Sequence, residues 1–369
     1  MVLNRRQIKA VILFVIIFLC LFSIFMVYEA SSVWSKFKYN DEFYYLKKQA
    51  LYVFIGFFAM FLGSKININL LKKYALIFVI ISLILLVLVI IPGVGLERGG
   101  SSSWLGFASF SFQPSELFKL AIICYFAKNI DKKYSYTDKI KTFILPFVLL
   151  GCGIGLIMLQ PDFGTCVVTL ATVFLLLFLT KLKYRYFIFA LGVGLVGMSA
   201  LIISAPYRLA RITAFIDPFV DPLGSGFQII QSLFALGPGG FLGKGINGSI
   251  QNHYYLPEPQ TDFIYSIIVE EFGFLGGLGI IVLYWILFYM CILLIKEELS
   301  KFKIFMSCGI LSLFMIQVII NLGVVTSLFP VTGITLPLLS YGGSSLVVLL
   351  FSLGLIINGG KEDEENSFS

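Results

Sequence analysis

Residues 74–91 read YALIFVIISLILLVLVII, a run with no charged group and only the hydroxyls of Tyr74 and Ser82 to break its apolar character. A helix that is apolar on every side has no face to present to water. At 1.5 Å per residue, such a run matches the ~30 Å hydrocarbon core of a bilayer. Working outward, comparable runs occur at roughly 8–30, 49–66, 114–129, 142–159, 164–180, 186–205, 270–295, 303–325 and 340–358. The run at 114–129 is the weakest, because Glu116 and Lys119 stand near its start. Arg5 and Arg6 give the first run the flank of a secretory signal. Its apolar stretch is too long and no small-residue cleavage site follows, so it reads as a retained helix. The expected fold is an all-α integral membrane protein of about ten transmembrane helices, forming one polytopic domain over 1–369.

Composition agrees. The 369 residues are 59% hydrophobic and 13% charged, against ~45–50% and ~25% in soluble domains. That excludes a soluble globular enzyme, a disordered chain and a nucleic-acid binder. Six cysteines lie inside apolar runs without CxxC spacing, and there is one histidine, His253. Neither a disulfide framework nor a multi-histidine metal site is implied.

The basic residues set the expected direction. With the N-terminus inside, eighteen of the 27 lysines and arginines fall on inside segments, eight fall outside, and Lys119 lies within a span. This asymmetry places both termini in the cytoplasm, with a short cytoplasmic tail at 359–369. Residues 206–262 then form a large extracytoplasmic loop between spans seven and eight. A connection this long is usually functional or disordered. Its content of Phe215, Phe219, Phe227, Ile229, Ile230, Leu233, Phe234 and Phe241 argues for partly helical structure folded back on the bundle.

Ionisable groups at membrane depth are costly and are functional candidates by default. Glu116 and Lys119, one turn apart, form either a structural pair or the polar wall of a substrate cavity. Asp162, in Gln160-Pro161-Asp162-Phe163-Gly164-Thr165, has the position of a helix N-cap. Arg208 and Arg211, also one turn apart, suit either a phosphate fork or anchoring to lipid headgroups. Asp217 and Asp221, each before proline, read as turn formers. Asp262 stands where Leu256-Pro257-Glu258-Pro259-Gln260-Thr261 enters an apolar helix. Its carboxylate faces a partly dry cavity, or else Thr261 or Asp262 caps that helix. Glu270 lies two turns on, roughly on the same face, and needs a partner or an aqueous path. The stretch Phe329 to Ser345, with Ser340, Tyr341, Gly342 and Ser344, reads as irregular backbone lining a cavity. Asn321 adds a buried amide in the span before it.

These strings together resemble the SEDS family (shape, elongation, division and sporulation), whose members include FtsW, RodA and SpoVE. The resemblance runs from the first span to the last. It is carried by Phe112-Gln113-Pro114-Ser115-Glu116 with Lys119, by Gln160 to Thr165, and by Asp217-Pro218 through Gln228. Gln231-Ser232, Gly239-Gly240, Tyr255 to Phe263 and Pro330 to Ser345 continue it. The string Tyr255 to Asp262 looks closer to FtsW and SpoVE than to RodA. One departure is Ser101-Ser102-Ser103 before Trp104, where the family often has an arginine; Arg98 is the nearby substitute.

The resemblance implies a peptidoglycan glycosyltransferase of the bacterial cytoplasmic membrane. It would polymerise lipid II into a growing glycan strand at the outer face, in division, sporulation or cell-shape maintenance. It implies Asp262 as the essential residue and general base, because a sugar hydroxyl must lose its proton as it attacks the donor's anomeric carbon. The leaving undecaprenyl pyrophosphate requires cations; Arg208, Arg211, Lys119 or a divalent ion (Mg2+ or Mn2+) would serve. Gln113, Glu116, Glu258, Thr261, Ser340, Tyr341, Gly342 and Ser344 are the further substrate-binding candidates. The implied partners are a class B penicillin-binding transpeptidase, the divisome or elongation machinery, and membrane lipids. Two other classes stay open on sequence alone, a lipid II flippase and a non-catalytic scaffold of the cell-wall complex.

Overall fold

The structure, a computed structural model, describes residues 4–98, 101–107, 110–203, 206–251 and 256–359. Three helices come first: α1 (Arg5–Tyr39), α2 (Tyr44–Lys65) and α3 (Ile68–Ile90). α1 starts at a reciprocal cap in which Asn4 and Gln7 satisfy each other's main-chain N–H groups. A small antiparallel sheet follows, β1 (Gly95–Arg98), β2 (Ser101–Phe107) and β3 (Phe110–Phe112), in the order β1-β2-β3. This corrects the all-α expectation. A turn-rich stretch between two spans alternates apolar and polar residues only at Phe110-Ser111-Phe112, too short to stand out beside the long apolar runs.

The chain continues through α4 (Pro114–Lys132), α5 (Ile144–Leu159), α6 (Phe163–Phe178) and α7 (Tyr184–Ile203). Most of α4 is buried, packed between α3, α11 (Lys301–Val325) and α5. α7 is held at its first turns, where Phe187 sits edge-on between Phe174 and Phe178. Beyond that it exposes Ile188, Phe189, Leu191, Val193 and Val196. The segment between α7 and α10 (Ile264–Lys296) is partly helical, carrying α8 (Pro206–Ile216) and α9 (Phe227–Leu236). α12 (Gly343–Ile357) packs along α2 and closes the bundle. Among the described residues, six helical segments are long and apolar enough to cross a membrane: α1, α2, α3, Ile140–Leu159, α10 and α11. The protein is a multi-pass membrane protein.

α10 is broken. Gly273 sits at φ 68° and ψ −168°, a conformation closed to L side chains. The glycine-rich strand of chain at 239–245 docks into the break. Lys244 and Gly245 donate main-chain N–H bonds to the carbonyls of Glu270 and Glu271 at 3.0 and 2.9 Å, and Phe274 N–H reaches the Gly240 carbonyl at 2.9 Å. A Cβ on Gly243 would lie 2.1 Å from the Glu271 carbonyl oxygen, so the approach demands glycine on both sides. The main-chain groups freed by the break are thereby paired within the protein, the condition for irregular backbone at membrane depth.

Candidate active site

The site is built where three pieces of chain meet: the approach to α10, the start of α6, and the irregular stretch between α11 and α12. Asn321 on α11 ties two of them together. Fully buried, its Nδ2 donates to the main-chain carbonyls of Asp262 at 2.7 Å and Ile334 at 2.8 Å. Ser340 adds a second tie, with its hydroxyl donating to the Thr261 carbonyl at 2.5 Å and accepting from Leu336 N–H at 2.8 Å. Tyr341 N–H donates to the Gln260 carbonyl at 2.8 Å. Thr261 itself turns back, its hydroxyl bonded to the Glu258 carbonyl at 2.7 Å. Ser340, Tyr341 and Thr261 therefore act first as scaffolding for the main chain that carries Asp262.

Asp262 does not cap α10. The N-cap is Phe263, with no side-chain hydrogen bond, and neither Thr261 nor Asp262 fills that role. The alternative that Thr261 or Asp262 caps the helix is corrected on this point. Asp262 is half-buried, and among the described residues its carboxylate accepts no hydrogen bond. Loss of hydration pushes its pKa up to about 6; the negative charges of Glu258 and Asp162 push the same way, and the Arg211 guanidinium pulls against them. Gly333 lies beside it, and a Cβ there would stand 3.8 Å from Asp262 Oδ2. The open space next to the carboxylate thus depends on a residue without a side chain.

The start of α6 supplies the second wall. Asp162 is the N-cap, accepting from Thr165 N–H at 3.0 Å and from the Thr165 hydroxyl at 2.8 Å. Gln113 Nε2 donates to Asp162 Oδ2 at 3.2 Å, and Gln113 N–H donates to the Ser344 hydroxyl at 3.1 Å. Gln113 and Ser344 therefore link α4, α6 and α12 beside the site. Gly342, in extended backbone, is the N-cap residue of α12.

The two arginines of α8 lie on this side. Arg211 Nη1 donates to the Val331 carbonyl at 3.2 Å, and its charge acts on Asp262. Arg208 places its guanidinium 5.8 Å from the centre of the Phe163 ring. Glu258 is exposed, and its charge acts on Asp262. The pair on α4 is set apart. Lys119 is 1% exposed and bonded to Glu116 at 2.7 Å, and Glu116 lines a cleft with Gln317, Thr335, Leu336 and Ser345. Among the described residues no three His, Cys, Asp or Glu side chains converge as metal ligands.

Other residues around the site carry little signal in the sequence. Gln49 on α2 is fully buried and donates to the Ser340 carbonyl at 3.4 Å and to Ser23 Oγ at 3.1 Å. A lone amide at the edge of an apolar run was the available signal. Tyr45, edge-on to Tyr341 at 4.9 Å, had none. Glu270 has its partner: Lys244 Nζ at 2.8 Å, the Ser249 hydroxyl at 2.6 Å, and the N–H groups of Ile250 and Gln251. Ser103 donates to the Gln160 carbonyl at 3.4 Å. The Arg98 side chain, Tyr255 and His253 lie outside the described residues.

The model of the cell cycle protein family of FtsW, RodA and SpoVE matches residues 9–365. The chain belongs to the FtsW/RodA/SpoVE family. It is 45% identical over 350 residues to stage V sporulation protein E of Bacillus subtilis (strain 168), covering 94% of this chain and 96% of that protein. It is 41% identical over 352 residues to the probable peptidoglycan glycosyltransferase FtsW of Trichlorobacter lovleyi, covering 94% and 92%. Among solved structures, one described as the structural coordination of polymerization and crosslinking by a peptidoglycan synthase complex superposes with a TM-score of 0.73. It is 33% identical, over 93% of this chain and 95% of that one. RodA of Thermus thermophilus superposes with a TM-score of 0.67 at 27% identity, over 94% of each chain. This FtsW/RodA/SpoVE protein is thus nearer in sequence to SpoVE and FtsW than to that RodA.

Proposed function

We propose that this FtsW/RodA/SpoVE protein is a peptidoglycan glycosyltransferase that polymerises lipid II, with Asp262 as general base. The carrying observation is the Asp262 carboxylate itself. It is half-buried, free of hydrogen bonds from the described residues, raised to about 6, and positioned through its own main chain by Asn321. A carboxylate in that state is ionised at neutral pH yet basic enough to take the proton of an attacking sugar hydroxyl. The proton goes to Asp262, the hydroxyl oxygen bonds to the anomeric carbon, and the bond to undecaprenyl pyrophosphate breaks.

Arg211 and Arg208 are the cations for the departing pyrophosphate. Arg211 acts on Asp262 and, among the described residues, spends one donor, on Val331, while Arg208 rests on Phe163 at the start of α6. A divalent ion here would be held jointly with the substrate's own phosphates, as Mg2+ commonly is. Glu258, Gln113 and Ser344 border the same space. Tyr341, Ser340, Thr261 and Gly342 act through the backbone. Glu116 and Lys119 would serve as a second, deeper polar wall reached through their cleft.

In this reading ten spans place both termini in the cytoplasm of a bacterial cell and residues 206–262 outside, within one polytopic domain. Labelling of single cysteines at 240–251 from outside, and at 132–139 only from inside, checks that arrangement. A class B penicillin-binding transpeptidase is the expected partner, since the similar solved complex couples polymerization to crosslinking. A lipid II flippase and a non-catalytic scaffold are the other classes that a lipid-accessible polar site would suit. Purified protein supplied with labelled lipid II in detergent decides between these classes. Polymer in detergent supports the enzyme; its absence, with folded protein, supports transport or scaffolding.

A further inference from the structure

A cluster of rings at the end of the bundle that carries Asp262 has no part in the proposed reaction. α1 has 35 residues, a rise of about 50 Å against a hydrocarbon core of ~30 Å. Its first residue is tied to the opposite end of the bundle, Arg5 lying 3.6 Å from Glu298 just beyond α10. The last turns of α1 therefore stand clear of the hydrocarbon. Residues 36–48 hold four lysines and two acids, with Lys36 and Glu42 3.8 Å apart and Lys47 and Asp41 2.8 Å apart.

Aromatic rings sit among these charges. Tyr39 stacks on Tyr44 with centroids 3.8 Å apart, and both meet Tyr45 edge-on, at 6.0 and 5.3 Å. Tyr45 in turn meets Tyr341 edge-on at 4.9 Å. The Tyr341 N–H is bonded to the carbonyl of Gln260, two residues before Asp262. The line of tyrosines thus runs from the tip of α1 to the chain that carries the proposed base. Beside Tyr44, Phe43 stacks on Tyr28 at 5.3 Å. Tyr28, Ser32, Val33, Lys36, Phe37 and Glu42 line a cleft of 340 Å³ there, within the ~300–1,000 Å³ of small-ligand sites.

The make-up of this surface selects its ligand. A pyranose ring has an apolar face of C–H groups and a rim of hydroxyls. Aromatic faces suit the first. A carboxylate, an ammonium and a hydroxyl in one cleft suit the second, through charge-assisted hydrogen bonds. An acyl chain would instead strip water from Lys36 and Glu42 without replacing it. Rings of a membrane-interface belt stand at headgroup level, whereas these interlock inward as far as Tyr45 and Tyr52, each 8% exposed.

We propose that the α1 cleft and the tyrosines leading from it to Tyr341 bind the sugar chain of the growing glycan and retain it between additions. The inference rests on the reading of the chain as a glycan polymerase, which supplies that ligand. Chitotetraose is the probe, since it offers linked N-acetylated sugar rings with neither lipid nor peptide. Its binding to the purified full-length protein in detergent is followed by saturation-transfer difference NMR over a concentration series, which needs no polymerase activity. Wild type is expected to saturate. Tyr39→Ala and, separately, Glu42→Gln should each bind about tenfold more weakly, the size of one ring contact or one charged hydrogen bond. Phe54→Ala, an exposed position further along α2, should bind as wild type does. Thermal melts confirm folding, and if one variant fails to fold the other still reads. No saturable binding by wild type, or unchanged affinity in both variants, would overturn the proposal. A lowered melting temperature with unchanged sugar affinity would mark the rings as a membrane-interface belt and overturn it too. Chitotetraose binding by a protein that makes no polymer from lipid II would keep the sugar site and sink the polymerase reading; polymer without such binding would do the reverse.

Discussion

Asn321, on α11, donates at 2.7 Å to the main-chain carbonyl of Asp262, the residue proposed as general base. The same amide group donates at 2.8 Å to Ile334, so one buried side chain fixes both the base and the loop opposite it. Asn321→Leu removes both donors and leaves two carbonyls unpaired. The expected cost is about 1–3 kcal/mol for each bond lost. Melting temperature should fall, and polymerisation per folded molecule should fall further, because the carboxylate loses its anchor.

How much of this was legible beforehand differs residue by residue. Asp162 was readable as an N-cap, since Asp followed by Thr165 three places on is a purely local pattern. Asp217 and Asp221 were readable for the same reason; each accepts a main-chain N–H two to four residues on. Glu270 was readable as a problem but not as a solution, because Lys244 is 26 residues away and reaches it only through the glycine-rich segment. The break at Gly273 was hidden inside an apolar run, where hydropathy carries no backbone information. The β-sheet was hidden by its brevity. Asp262 stands out by its position and by the family resemblance, while its missing cap bond and its anchor on Asn321, 59 residues away, have no local signature.

Glu258 and Arg211 act on Asp262 with opposite sign, and activity should show it. Asp262 must be ionised to act, so polymerisation should fall as pH drops through about 6, where its proton returns. Glu258→Gln removes a negative charge that raises the carboxyl, and the acid limb should move down. Arg211→Gln removes the positive charge that lowers it, and the limb should move up. The initial rate against pH for the three proteins checks the order. Arg208→Gln, whose guanidinium rests on Phe163, should raise KM for the donor with less movement of the limb.

Stability carries a related signature. The folded protein raises the Asp262 pKa above its unfolded value, so an ionised Asp262 opposes folding; the penalty builds as pH rises from the ordinary carboxylate range to about 6 and is fully present above it. Asp262→Asn should therefore melt at a higher temperature than wild type at pH 7.5. The advantage is expected to be on the order of 1–2 kcal/mol after allowance for the partial exposure of the group. It should shrink as pH falls towards the ordinary carboxylate range. Equal melting at both ends would remove burial as the cause of the raised value.

Gly273→Ala tests the helix break. Its φ of 68° excludes a Cβ without strain, and the added carbon would lie 2.3 Å from the Gly243 nitrogen. A loss of at least about 1–3 kcal/mol is expected from the backbone term alone. Melting temperature and resistance of the 239–251 segment to proteolysis should fall together, while Gly279→Ala, with open space around it, should change neither.

The most direct test of the central assignment is glycan chain formation from lipid II by purified Asp262→Asn. Asparagine keeps the size and shape of the side chain and leaves the main-chain bond to Asn321 intact. The protein should fold and insert, and polymer should drop by roughly the 10²–10⁴-fold typical of a lost general base. Near wild-type polymer from a folded Asp262→Asn protein would contradict the account.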